Sequence, residues 1–232
     1  MDIKRILGFL EAIRENNNRE WFLENKKEYQ AVRKIFEKDV EKLIERISLF
    51  DASISHITVK DATYRFNRDT RFSLDKSPYK RHFGAYIAAH GKKAFHGGYY
   101  IHVEPGNCFV ACGNYYLPTN ILTSCRNEIM ANIDDWRNVV ESAAFVKFFG
   151  RAGQSRWGDK KGFGGEYLKK SPSGFPRDYE FIDYLRMKDY CCWKALPDTF
   201  YDGEAWFDEV VKIFKVAKPM MDFVNSVIDD YE

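Results

Sequence analysis

The sequence lacks a long apolar run, and no stretch approaches the roughly 18 residues of a membrane-spanning helix. The short apolar segment near Met1 is interrupted at Glu11, so we expect no secretory signal peptide. Cysteine is scarce and odd in number, with five residues and no C-x-x-C pair. These absences favour free thiols in a reducing compartment, and we expect a cytoplasmic protein.

Recognisable catalytic and nucleotide-binding signatures are also missing. The glycine-rich stretch 158–165 matches neither a P-loop nor a dinucleotide fingerprint, and a flexible surface hairpin is its simpler interpretation. No H-E-x-x-H or G-x-S-x-G motif is present. The sequence therefore predicts no metal and no cofactor, and it leaves open whether the protein is an enzyme.

The composition is that of a folded globular chain, with 45% hydrophobic and 30% charged residues among 232. Helical periodicity marks residues 2–15, about 19–49, 118–133, 135–149 and 204–229, with Pro219 expected to end or kink the last helix. Strand-like composition marks residues 54–67, 82–90, 99–104 and 108–116. This order predicts an α+β fold, with a central, mainly antiparallel sheet of about four to six strands flanked by N-terminal and C-terminal helices.

We expect a single domain over residues 1–232. It would consist of a helical part at 1–50, the sheet at 54–116 and a mixed helical part at 117–232. No repeat and no long linker argues for a division.

Charge is concentrated locally although the net charge of the chain is only +2. Residues 65–81 hold six basic and two acidic side chains, and residues 147–177 hold eight and two. Residues 178–232 carry a net charge of −7. Either the acidic segment neutralises the basic ones, or the basic segments converge on an anionic ligand.

The densest group of polar side chains lies in the first basic segment. Guanidinium, hydroxyl and backbone N–H groups recognise phosphate and carboxylate, and Asp75-Lys76-Ser77-Pro78 is typical of a turn. The alternative is that Arg65 and Arg68 pair with Asp69 or Asp75 and only brace the loop.

The strand predicted over residues 99–104 has two different faces. Tyr99, Ile101 and Val103 would face the core, whereas Tyr100, His102 and Glu104 would face a cleft or solvent. His102 and Glu104 with His82 or His90 form a weak metal-ligand pattern, and the favoured interpretation of His102 is a hydrogen-bonded sheet residue or part of a polar pocket. A role as general base is open if His102 faces the basic segment.

The run Arg68-Asp69-Thr70-Arg71-Phe72-Ser73, followed by Asp75-Lys76-Ser77-Pro78-Tyr79-Lys80, resembles the hallmark of a bacterial and fungal family, domain of unknown function 2461. The resemblance continues through residues 98–100, 113–118 and 168–175 and spans most of the chain. It implies a cytoplasmic α+β domain, and it implies no catalytic residue or substrate.

The leading hypothesis is a pocket between residues 65–82 and 169–177 that binds a small anionic ligand, with a phosphorylated ligand as one option. Alternatives are a nucleic-acid-binding module, which is not favoured, or a hydrolase or transferase acting on a small anion. We expect no membrane partner, and the sequence leaves the oligomeric state open. The candidate ligand-binding residues are Arg65, Asn67, Arg68, Arg71, Ser73, Lys76, Ser77, Tyr79, Lys80, Tyr100, His102, Lys169 and Lys170.

Overall fold

Helices occupy both ends of the chain and most strands lie between them in the computed structural model, which describes residues 1–230. The helices are α1 (Ile3–Glu15), α2 (Arg19–Glu24), α3 (Lys26–Ser48), α4 (Val59–Ala62), α5 (Thr119–Ala131), α6 (Ile133–Val140), α7 (Ala143–Phe149), α8 (Ile182–Arg186) and α9 (Trp206–Asp229). The strands are β1 (Phe83–Ile87), β2 (Gly98–Val103), β3 (Cys108–Asn114), β4 (Lys161–Phe163) and β5 (Tyr190–Leu196). Short 3₁₀ helices span Ala52–Ile54 and Asp198–Tyr201.

The strands form one antiparallel sheet in the order β1-β2-β3-β5-β4. Strand β4 pairs with β5 in the register Lys161↔Lys194, Gly162↔Trp193 and Phe163↔Cys192. The predicted α+β class is therefore confirmed. Strand β4 lies within the glycine-rich stretch 158–165, for which the sequence predicts a flexible surface hairpin.

The chain forms two compact units. Unit 1 contains residues 1–92, 100–109 and 196–211, and unit 2 contains residues 93–99, 110–195 and 212–230. Strands β2 and β3 and helix α9 each contribute residues to both units. The expectation of a single domain over residues 1–232 stays a prediction, and its last two residues lie outside the described range.

Unit 1 has an aromatic core that fixes both ends of the first basic segment. Phe66 and Tyr79 are 3% and 6% exposed. The ring of Phe22 stacks on Tyr79 with centroids 4.0 Å apart, and the ring of Tyr29 lies 5.0 Å from that of Phe66. Burial of large rings stabilises a core strongly, so the chain is anchored immediately before and after the loop that joins these two residues.

Two predictions about the first half of unit 1 are wrong. The helix expected over residues 19–49 is interrupted at Asn25, whose side-chain amide donates to the carbonyl of Trp21 at 2.9 Å. The strand expected over residues 54–67 is mostly helical turns, because Thr58 and Asp61 form a capping box that starts α4. Near the end of residues 54–67, isolated bridges pair Thr63 with Ala85 of β1 and Asn67 with Tyr79.

Unit 2 is built around Trp136, which is fully buried. Its ring meets those of Tyr184 and Tyr190 edge to face, with centroids 6.0 and 5.6 Å apart. Helix α9 continues through Pro219, where the sequence predicts an end or a kink, so the helix does not end there. The next residues, Met220 and Met221, are buried. Tertiary packing of this kind outweighs the poor helix propensity of proline.

The five cysteines are buried, and none forms a disulfide within residues 1–230. Across the described part of the chain, none of the helices has the length and apolar character that crossing a bilayer requires.

Candidate anion-binding site

A short antiparallel ladder in unit 1 presents the first basic segment. The backbone N–H of Lys80 donates to the carbonyl of Phe66 at 2.9 Å, and that of Arg68 donates to Pro78 at the same distance. The amide of Asn17 brackets Tyr79, accepting from its N–H and donating to its carbonyl at 3.0 Å each. Residues 68–78 therefore form a loop held at its base, which we call the basic loop.

Arg68 is the internal brace of the basic loop. Its Nη1 donates to Asp75 Oδ2 at 2.6 Å, to the Ser77 carbonyl at 3.2 Å and to Ser77 Oγ, and its Nη2 donates to Ser73 Oγ at 3.3 Å. Hydrogen bonds from the Ser77 backbone and hydroxyl, then from Arg68, lower the pKa of Asp75 to about 2. This geometry favours the bracing alternative for these residues.

The remaining loop cations also bond within the loop. Arg71 forms a two-pronged pair with Asp69, with N–O distances of 3.0 and 2.7 Å, and hydrogen bonds from Arg71 lower the pKa of that carboxyl. Lys76 Nζ donates to the carbonyl of Thr70 at 2.9 Å. Exposed pairs of this type contribute little stability, but they reduce the charge that the loop offers to a ligand.

A different set of cations meets at the base of the loop, around the ring of Tyr64. The amines of Lys80 and Lys92 lie 5.0 and 5.5 Å from the centre of that ring. Arg33 Nη1 donates to the Tyr64 carbonyl at 2.9 Å, and Arg65 follows Tyr64 in the chain. We call Arg33, Arg65, Lys80 and Lys92 the cation cluster.

The charges of the cation cluster are incompletely balanced. Arg33 pairs with Glu37 at 2.6 Å, and Lys92 Nζ donates to the carbonyl of Thr63 at 2.7 Å. Among residues 1–230, no carboxylate lies within ion-pair distance of Lys80 or Arg65.

Burial, followed by the charges of Arg65, Arg33 and Lys92, lowers the pKa of the Lys80 amine. The pKa of Lys92 is also lowered, mainly by burial, although Asp61 opposes the shift. A cation whose protonated form is disfavoured by like charges gains from an added anion, because the anion supplies the missing counter-charge.

Three side chains, Tyr100 and His102 of β2 and Glu104 just after it, form a hydrogen-bonded row in unit 1. Tyr100 Oη lies 2.8 Å from His102 Nδ1, and His102 Nε2 lies 3.2 Å from Glu104 Oε2. Because a carboxylate only accepts, Nε2 donates to Glu104, and Nδ1 accepts from the tyrosine hydroxyl when the imidazole is neutral. Both ring nitrogens of His102 are thus occupied, which argues against its use as a general base in this arrangement.

His82 connects this hydrogen-bonded row of side chains with the cation cluster. Its ring stacks on that of His102 with centroids 4.4 Å apart. Burial first, then the charges of His102 and Lys80, lower the pKa of His82 to about 4, although Glu104 opposes them. The imidazole is therefore neutral at pH 7 and can donate one hydrogen bond and accept another.

The other predicted residues lie elsewhere. Tyr79 is buried in the aromatic core, and Asn67 is exposed beside it. Lys169 and Lys170 are exposed in unit 2, where Ser171 Oγ donates to the carbonyl of Phe175 at 3.0 Å. A pocket shared by the two basic segments stays a prediction.

Sequence reasoning missed Arg33, Tyr64 and Lys92 as members of the site. Each lies outside the charge-dense segment 65–81, and a count of charge along the chain gives them no weight. The phenolic ring of Tyr64, between two lysine amines, is the structural feature that identifies the group.

Comparison with known proteins assigns the chain to one family. The family model described as conserved hypothetical protein (DUF2461) matches residues 5–223, whereas no curated protein and no solved structure gives a significant match. The match includes the basic loop, the cation cluster and the polar face of β2, and the chain therefore belongs to the DUF2461 family of conserved hypothetical proteins.

Proposed function

We propose that this protein binds a small anionic ligand of the phosphate class at the cation cluster. The observation that carries the proposal is Lys80, a half-buried amine with three cationic neighbours and no carboxylate partner in the described chain. Burying a charge without a counter-charge is costly. A bound anion removes that cost, so the cluster gains more from a ligand than an exposed lysine does.

The chemistry around Lys80 suits a phosphate group. Arg65 is exposed and offers a guanidinium fork, which matches two phosphate oxygens, while Lys80 supplies a compact charge. The neutral ring of His82 offers a further hydrogen bond close to the amine. The basic loop contributes mainly a rigid frame, because Arg68 and Arg71 are paired within it.

Calorimetric titration of the full chain with inorganic phosphate and with pyrophosphate tests the proposal. We expect saturable binding that weakens at least tenfold in Lys80→Gln and in Arg65→Gln. Lys34→Gln is the matched control, since Lys34 is exposed on α3 next to Arg33. Binding of equal strength in all four proteins, or no binding, would refute the proposal.

A single-stranded oligonucleotide serves as a second probe, because nucleic acid is the alternative for a basic surface. Phosphate-backbone binding falls steeply with salt, by about one logarithmic unit per contact and per tenfold increase in salt. A small-anion site predicts that the oligonucleotide binds no more tightly than pyrophosphate at 0.2 M salt. Much tighter oligonucleotide binding would favour the alternative.

A further inference from the structure

The tip of the basic loop displays two large apolar side chains to solvent. Phe72 is 97% exposed and Leu74 is 103% exposed, relative to the reference for each residue type. They are two positions apart, and the brace formed by Arg68 spans them by joining Ser73, Asp75 and Ser77. Full exposure of neighbouring apolar groups on a braced loop is unfavourable in water and marks a contact surface.

The segment that carries the two apolar groups has a net positive charge, since residues 68–81 hold five basic and two acidic side chains. The guanidinium carbon of Arg71 lies 5.9 Å from the centre of the Phe72 ring, Lys76 is exposed, and the side chain of Arg81 is 45% exposed. The acidic groups of the loop, Asp69 and Asp75, are already paired with arginines. The loop tip therefore combines two exposed apolar side chains with a net positive charge.

We propose that the loop tip docks on the surface of an anionic phospholipid bilayer, with Phe72 and Leu74 entering the interface and the net positive charge of residues 68–81, including the exposed Lys76 and Arg81, facing the headgroups. Apolar side chains next to basic ones bind anionic membranes by these two contributions together. Neither contribution depends on the anion site proposed above.

A bilayer explains the tip better than a protein or nucleic-acid partner does. Two side chains are far too few for a specific protein interface, which buries about 800 Å² on each partner, whereas a bilayer needs no shaped counterpart. A nucleic-acid base could stack on Phe72, but Leu74 offers no aromatic face. The sequence analysis expects no membrane partner, and a loop that binds at the bilayer surface is a departure from that expectation.

Co-sedimentation of the full chain with vesicles tests this proposal. One set of vesicles contains phosphatidylcholine with roughly 30% phosphatidylserine, which gives a strongly negative surface potential. The other set contains phosphatidylcholine alone. We expect binding to the anionic vesicles, with at least a tenfold loss in Phe72→Ser/Leu74→Ser. The matched control is Leu49→Ser, because Leu49 is 87% exposed elsewhere in unit 1.

A charge variant and a fluorescent label separate the two contributions. Lys76→Gln/Arg81→Gln is expected to weaken vesicle binding several-fold, and high salt is expected to act in the same way. The native cysteines are buried, so a cysteine introduced by Leu74→Cys can be labelled selectively with an environment-sensitive dye, whose emission should shift to the blue on anionic vesicles.

Three outcomes would overturn the proposal. The first is equal binding to both vesicle types or to neither. The second is vesicle binding that Phe72→Ser/Leu74→Ser leaves unchanged or that Leu49→Ser reduces equally. The third is Phe72-dependent binding of a single-stranded oligonucleotide without vesicle binding, which would assign the tip to nucleic acid.

Discussion

Replacing His82 by phenylalanine should remove a specific part of the pH dependence of stability. The pKa of His82 is about 4 in the folded chain, against an ordinary value of 6.5. The unfolded chain therefore takes up a proton at this residue below pH 6.5, and the folded chain does so only near pH 4. Stability is lost as the pH falls through this window, and between pH 7 and pH 5 the loss is about 2 kcal/mol for this group.

Asp189 acts in the opposite direction over part of the same window. Burial raises its pKa from 3.8 to about 6, although hydrogen bonds from the Gly165 and Glu166 backbone oppose the shift. The folded chain therefore binds a proton at Asp189 before the unfolded chain does, which adds stability as the pH falls from 6 to 4. This contribution is common to the wild type and the His82→Phe variant, so it cancels when the two are compared.

Urea unfolding at pH 7 and pH 5 measures the difference. Phenylalanine keeps an aromatic ring that can stack on His102, while it removes the titrating group. We expect the wild type to lose about 2 kcal/mol more than the variant between the two pH values. Equal losses would show that the His82 pKa is not depressed in the folded state, and they would refute the reasoning that places this ring in a desolvated, cationic environment.

Three further predictions address the frame of the site. Arg68→Ala should release the basic loop, because it removes the brace to Asp75 and Ser77, and limited proteolysis should cleave this loop several-fold faster than in the wild type. Gly84→Ala should destabilise the chain by about 1–3 kcal/mol, since its Cβ would lie 2.7 Å from the Tyr100 hydroxyl. Tyr100→Phe should recover part of that loss in a double-variant unfolding cycle. The native thiols should react with a thiol reagent only on unfolding, because burial raises the pKa of Cys108 and of Cys125 to about 12; rapid labelling of the folded chain would contradict this.

The architecture could be predicted from the sequence wherever hydrophobic periodicity is strong. The α+β class and strands β1, β2 and β3 follow from strand-like composition and from alternating apolar positions such as Tyr99, Ile101 and Val103, which are fully buried. The failures are local. A capping box at Thr58 converts a strand-like composition into a helical turn, and packing around Met220 and Met221 carries a helix through a proline.

The site was harder to predict because a count of charge along the chain does not show which charged groups pair with one another. In the segment 65–81, Arg68 and Arg71 pair with Asp75 and Asp69, and Arg81 lies 3.6 Å from Asp75. The charge-dense motif is thus largely a folded loop whose arginines pair with its own carboxylates.

Lys80 and Arg65, which have no such partner within residues 1–230, lie at its base. The cation cluster forms there because Tyr64 accepts a hydrogen bond from Arg33 through its carbonyl and meets two lysine amines with its ring. These contacts bring together residues from α3, from the segment before the loop and from the chain after β1. Their sequence separation hides the cluster from a count of charge along the chain. Burial, followed by the like charges of its neighbours, lowers the pKa of Lys80, and the cluster is therefore the place where an anion would gain most.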